Sequence, residues 1–359
     1  MLPNIGEIGR ALVHDVNRKY ARGAAHNCVF ITSHVRIDMP DSPIIIVMNQ
    51  PGGVTDYAQV VASQMGGPVR VLPFEENLQV DGADVLLHYS GYGYAKRGAP
   101  LHLLAWVRRN RPRMRRFGVF FHELYATGKP TSSAFWLSPA QRYIASRLAR
   151  LSDFWITNIE DSEDWLLRHA GHLPHRRLAV ASNIGELPTF NPDGRSAAVV
   201  FGSASLRAMT YEAGGDALFR WAGEQGIEIH DVGSPIDDPQ LAESLRRHGV
   251  VTHGRQTTEA IQQIMAKASF GLLRYPPRFV AKSSVLAAYC THGMVPMLLS
   301  DTHGVHDGLR AGEQYLHGVP AGAVPAPEIA RIGRNAFDWY QDHSVGIHAQ
   351  ATSALLAAS

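Results

Sequence analysis

The sequence predicts an α/β protein built from two doubly wound, Rossmann-like domains that face each other across a cleft. Three observations carry this. Short apolar runs read as strands buried on both faces, helical patterns lie between them, and the same alternation starts afresh after a stretch bearing Pro188, Pro192 and Gly194. At 359 residues the chain is also too long for one ordinary core and suits two.

In the first round, strands are expected at Ile44–Met48, Val69–Leu72, Val85–Tyr89, Gly118–Phe121, Phe154–Ile156 and Leu178–Ala181. Helical patterns fall at Asp56–Gln64, Leu101–Arg109, Pro139–Leu151 and Glu163–His169. Gly185–Ser196 reads as a linker. The second round offers strands at Ala198–Phe201, Ile227–Val232, Val250–Thr252, Phe270–Leu273 and Val295–Leu299. Its helices are Asp216–Gln225, Pro239–His248, Thr258–Lys267 and Ser284–Thr291, and one long helical stretch, Glu328–Leu356, closes the chain. Residues 1–40 are polar and mixed. They read either as an extension outside the fold, with Met39 a second candidate start, or as a helix packed on the first domain.

Composition narrows the function. A hydrophobic fraction of 45%, a charged fraction of 18% and a net charge of +2 are globular values that give no field aimed at nucleic acid. The 18 histidines are scattered, without HExxH or a Cys/His cluster at ligand spacing, so no metal site is expected. Cys28 and Cys290 form no disulfide framework and fit a reducing cytoplasm. No apolar run reaches the roughly 18 residues of a spanning helix, and no leader pattern opens the chain. A cytoplasmic protein is expected. The basic run Arg108–Arg116 favours a solvated helix end, with peripheral contact at the inner membrane face as the lesser reading.

Chemistry concentrates at three strand ends. Gly52 and Gly53 follow the first strand and open a helix, where free N–H groups suit a diphosphate or carboxylate; a plain strand-to-helix turn is the alternative. Neither GxGxxG nor a P-loop is present. His122 and Glu123 end the strand Phe117–Phe121, where α/β sheets place ligands. They read either as sugar-binding and proton-exchanging groups or as ordinary strand-end caps. Lys282, Ser283 and Ser284 gather a cation, hydroxyls and N–H groups at a helix start, which favours phosphate over simple capping. Gly202 with Arg207, after the first strand of the second round, is a weaker fourth candidate.

In this order the pieces resemble family 4 of the GT-B nucleotide-sugar-dependent glycosyltransferases. The resemblance runs through Gly52-Gly53-Val54-Thr55-Asp56-Tyr57, Phe121-His122-Glu123, Ser182-Asn183 with Phe190, His253-Gly254-Arg255, Leu286 to Pro296, and Trp339-Tyr340 with His343-Ser344. It implies an acceptor domain over 41–188, a donor domain over 189–334, and a C-terminal helix, 335–359, crossing back to the first. It further implies His122 beside the transferred sugar, with Arg207 and Lys282 as counterparts of the family's diphosphate-binding Arg and Lys. The implied activity is metal-independent, cofactor-free and retaining transfer from a nucleotide-diphosphate sugar to a saccharide or lipid-linked acceptor, as in polysaccharide assembly. Two family glutamates are replaced, by Phe279 and Ala287. That leaves two alternatives standing: a silent sugar-nucleotide-binding subunit, and an epimerase of the same fold.

Overall fold

The computed structural model describes residues 43–48, 52–126 and 133–358. The readings placed on residues 1–40, on Met39 as a start and on Cys28 lie outside those residues.

Two six-stranded sheets, parallel throughout, organise the chain. The first contains β1 (Ile44–Val47), β2 (Arg70–Pro73), β3 (Asp84–Tyr89), β4 (Arg116–Phe121), β5 (Phe154–Thr157) and β6 (His175–Arg177), in the order β2-β1-β3-β4-β5-β6. The second contains β7 (Ala197–Phe201), β8 (Glu228–Val232), β9 (Val251–Gly254), β10 (Ala268–Leu273), β11 (Val295–Leu298) and β12 (Leu316–His317), in the order β12-β11-β10-β7-β8-β9. The strand order reverses between β1 and β3 in one sheet and between β7 and β10 in the other. Those reversals open a crevice at the carboxyl edge of each sheet.

The central strands, such as β1 and β10, are buried along their length because helices cover both faces. On one face of the first sheet, α2 (Leu101–Asn110) and α3 (Ser133–Leu151) bury Leu103, Trp106, Ile144 and Leu148. On the other, α1 (Gly53–Gln64) buries Tyr57, Ala58 and Val61. A further helix of this half, α4 (Glu160–Ala170), follows β5. In the second half, α5 (Ala204–Gln225), α6 (Pro239–Arg247), α7 (Thr258–Ala266), α8 (Ser284–Thr291) and α9 (Ala326–Gln341) flank the sheet. The last helix, α10 (Val345–Ala357), returns to the first half. Its Val345, Ala349, Leu355 and Leu356 join the cluster of Ile45, Tyr57 and Phe120.

Two expectations about elements are corrected, and two further elements left no signal in the sequence pattern. Leu178–Ala181 is not a strand. The ladder holds only the polar edge residues His175–Arg177, and Val180 N–H instead donates to the Ala281 carbonyl at 2.8 Å, across the two halves. The helix expected at Asp216–Gln225 is present, and a helix from Ala204, capped by the Ser203 hydroxyl, precedes it across a kink. Gly215, at φ 51°, breaks the periodicity and hid the earlier part. The closing stretch is two helices with a turn at Asp342–Ser344. The edge strand β12, two residues long, was not anticipated.

The halves are clasped at Asp307. Its carboxylate accepts from Arg177 Nη1 at 2.9 Å and from the Glu160 backbone N–H at 2.8 Å, and its carbonyl accepts from Trp339 Nε1 at 2.9 Å. Asp307 holds a positive φ of 53°, a conformation that Asp tolerates better than most side chains.

Candidate functional site

The wall contributed by the first sheet is built at the ends of β3 and β4. Tyr89 pairs with Phe121, and the His122 N–H extends the ladder to the Tyr89 carbonyl at 2.9 Å. His122 therefore leaves the sheet edge in a fixed direction. Its ring stacks on Phe120, centroids 4.3 Å apart, and its Nε2 shares a proton with Nδ1 of His88 at 3.0 Å. Burial and the neighbouring charges of His88, Lys282 and His348 hold the His122 imidazole well below its ordinary pKa. It is a neutral ring, suited to hydrogen bonding rather than to carrying a charge.

Behind it, burial pushes His88 and His348 down to about 3. The tautomer of His348 follows from its partners. Nε2 faces the Ala179 carbonyl at 2.9 Å and must carry the proton, so Nδ1 is free to accept the Tyr57 hydroxyl. Tyr57 in turn meets the His122 ring edge-on at 5.7 Å. One turn upstream of Tyr57, Gly53 starts α1. At Gly52 and Gly53 an added Cβ would meet no atom within 4 Å, so local packing does not demand glycine there. Residues 49–51 of the same loop lie outside the described residues.

Glu123 stands beside His122. Ser90 Oγ donates to its Oε2 at 2.8 Å, fixing the carboxylate at the mouth of the crevice. From the second half, burial and then the Glu123 charge push the Tyr275 hydroxyl up to about 12, so that loop faces the carboxylate. The expected pair His122 and Glu123 thus lies together at a strand's carboxyl end, and both residues feel the other half.

The facing wall is the start of α8. Ser283 caps the helix, its Oγ accepting from Leu286 N–H at 3.2 Å, while Ala287 N–H bonds the Ser283 carbonyl at 3.0 Å. The N–H groups of Ser284 and Val285 have no described protein partner and point off the helix end. Lys282 is half-buried, makes no hydrogen bond or ion pair with a described residue, and lowers the His122 pKa from across the cleft. Gly202 lies against this helix. At φ 130°, an added Cβ would stand 3.4 Å from Val285 and 3.1 Å from Leu206. The switch point between β7 and β10, the helix start and Lys282 therefore share one small volume.

Arg207 is a correction. Its guanidinium is 1% exposed and spent inside the second half: Nη1 pairs with Asp231, Nη2 donates to the Ser234 carbonyl, and Nε donates to the Gly202 carbonyl at 3.1 Å. It holds the Gly202 loop in place and presents no free donor to a diphosphate. Phe279 is half-buried beside Ile159 and Ala281, and Ala287 is buried within α8, so neither position offers a polar group to a ribose.

Sequence reasoning missed His88, Ser90, Tyr275 and His348. His88 had a signal, since it ends an apolar strand just as His122 does. His348 had none, because only the return of α10 brings it to Tyr57.

No described protein family and no curated protein matches the sequence. Solved structures do match. The chain is similar to sucrose-phosphate synthase from Thermosynechococcus elongatus at 12% identity and a TM-score of 0.59, covering 88% of this chain and 98% of that one. It is similar to α,α-trehalose 6-phosphate synthase from Burkholderia multivorans, at 12% identity and a TM-score of 0.51, over 84% of this chain and 72% of that one. The pneumococcal O-GlcNAc transferase GtfA, solved with UDP and GlcNAc, matches at 12% identity and a TM-score of 0.52 over 77% of this chain, which spans 57% of its length. These likenesses define the fold: two Rossmann-like domains in the GT-B arrangement of glycosyltransferases.

Proposed function

We propose that this chain is a glycosyltransferase that moves a sugar from a nucleotide-diphosphate donor to an acceptor hydroxyl. One observation carries the reading. His122 and Glu123 end a strand of one domain, Lys282 and the α8 N-terminus stand at the switch point of the other, and the Lys282 charge is among those that lower the His122 pKa. The neighbours named above are two sugar-phosphate synthases and an O-GlcNAc transferase solved with UDP and GlcNAc, which supports the same class here.

In this reading the donor diphosphate lies against the Ser284 and Val285 N–H groups and Lys282. Gly52 and Gly53 allow its close approach from the other wall. The bond from the anomeric carbon to the diphosphate oxygen breaks, and its electron pair leaves with the phosphate. Lys282 and the helix end stabilise that charge in place of a divalent ion, the kind of term that commonly dominates such catalysis. Neutral His122 hydrogen-bonds a sugar hydroxyl. The acceptor oxygen bonds the anomeric carbon from the face the diphosphate leaves, its proton passes to the departing phosphate oxygen, and Glu123, held by Ser90, orients the acceptor hydroxyl. Retention of configuration is part of the proposal and is read directly from the product anomer. The chain works in saccharide or glycolipid assembly on the cytoplasmic side.

The test is a thermal-shift series with UDP- and GDP-sugars, followed by release of nucleoside diphosphate with and without added acceptors. A ligand that binds only the folded state raises the melting temperature. Binding with turnover supports the proposal. Binding without turnover identifies the silent sugar-nucleotide protein instead, and no binding removes both.

A further inference from the structure

The outer face of α2 and α3 is a surface that neither the fold nor the site accounts for. From Val85 to Ser152 the sequence holds twelve Lys and Arg residues and one acid, Glu123, although the whole chain is nearly balanced. Several of these cations are occupied: Arg111 with Asp153, Arg113 with Asp81 and Arg115 with Asp84. Arg108, Arg109 and Arg150 are exposed and have no acidic partner among the described residues. On the same helices Leu101 is 59% exposed, Phe135 41% and Trp136 73%.

These positions form one continuous patch. Leu101 and Arg108 are two turns apart on α2, and Trp136, Tyr143 and Arg150 follow each other at seven-residue steps on α3, so each set lies on one stripe. The stripes adjoin, because Arg108 Nη2 donates to the Tyr143 hydroxyl at 3.1 Å. The apolar groups are all at the helix N-termini and the free cations towards the C-termini. Both N-termini follow the carboxyl-end loops of β3 and β4, the loops that carry Ser90 and His122. A Trp with Phe and Leu at the same end of the helices, backed by arginines without acidic partners among the described residues, matches a headgroup layer, which accepts amphipathic rings and attracts cations.

We infer that this face docks on an anionic lipid surface, with Leu101, Phe135 and Trp136 entering the headgroup layer and Arg108, Arg109 and Arg150 on acidic headgroups. Docking sets the mouth of the cleft beside the bilayer. The consequence for the acceptor rests on the transfer reading above: the hydroxyl that receives the sugar belongs to a membrane-borne molecule.

Flotation of the full chain with vesicles tests the docking without any donor present. One set is phosphatidylcholine alone, and a second also contains phosphatidylglycerol. Flotation is expected only with the second, and should weaken as salt shortens the Debye length. The triple variant R108Q/R109Q/R150Q and the single variant W136S should each lose at least about tenfold in vesicle affinity. Thermal shift with nucleotide sugars, unchanged in both variants, shows that they fold and that the cleft is intact. Equal binding to both vesicle sets, no binding to either, or unaltered binding by both variants overturns the docking. Salt-sensitive association with an acidic polypeptide or nucleic acid but not with vesicles also overturns it. Vesicle binding is read without turnover, so a failed transfer reaction leaves it standing and removes only the statement about the acceptor.

Discussion

Arg177, on the last strand of the first sheet, and Asp307, in the loop between β11 and β12, join the two domains through a 2.9 Å ion pair. The Asp307 carboxylate is nearly enclosed, and its second oxygen has no described hydrogen-bond partner. Burial raises its pKa despite the Arg177 charge. Asp307→Ala should therefore lower stability by about 1–3 kcal/mol, through the lost bonds and the strained φ together. Asp307→Asn should fall between it and the parent. Urea unfolding checks this, and an unchanged midpoint for the alanine variant would mean that the clasp contributes nothing.

Lys282→Ala should reduce nucleoside-diphosphate affinity by roughly tenfold to a hundredfold, the range of one charge-assisted contact. Calorimetry with the free nucleotide reads it directly. Equal affinity for parent and variant removes Lys282 from the donor site.

His122→Ala should lower turnover by at least about a hundredfold while donor affinity changes little, because the ring acts on the sugar rather than the diphosphate. His88→Gln should produce a smaller loss, since it disturbs the ring only through the 3.0 Å bond to Nε2. Full activity in the alanine variant would defeat the assignment.

Acid should unfold this protein earlier than its balanced charge suggests. His88, His122 and His348 are held neutral by burial, with pKa values depressed below the unfolded value of about 6.5. The unfolded chain then binds more protons below that value. The stability these rings contribute is complete above about pH 6.5 and is lost as pH falls towards about 3. Melting temperature measured from about pH 7 down to about pH 5 should fall steeply, and less steeply for His348→Asn. A flat profile would contradict the buried neutral cluster.

Asp231→Ala should cost about 3–5 kcal/mol, because it strands the enclosed Arg207 guanidinium without its counter-charge. The Gly202 loop would loosen with it, so donor affinity should fall alongside stability. Calorimetric melting and nucleotide titration of the same sample separate the two effects.

The fold was legible because buried parallel strands leave apolar runs that local reading detects, as at Ile44–Val47 and Phe270–Leu273. Edge strands leave no such trace: His175–Arg177 is polar because one side faces solvent, whereas Leu178 and Ala181 are apolar because they pack in the core beneath α10, and Ala179 because it meets Ala281 of the other half. The site was half legible. His122, Glu123 and Lys282 stand at strand and helix ends that the pattern marks. Arg207 stood at such an end too, yet Asp231, twenty-four residues on, claims it. Pairings of that kind depend on which strands become neighbours, and local sequence does not carry that information.

The return of α10 to the first domain has a consequence for synthesis. Residues 44–177 can form their sheet as they emerge, but the face over Ile45 and Phe120 is covered only in part, by α1, until Val345, Ala349, Leu355 and Leu356 arrive. His348 travels on that same helix, so Tyr57 waits for its acceptor until α10 has been made. A nascent chain halted before α10 would hold the second sheet and its helices complete and leave that part of the first half uncovered.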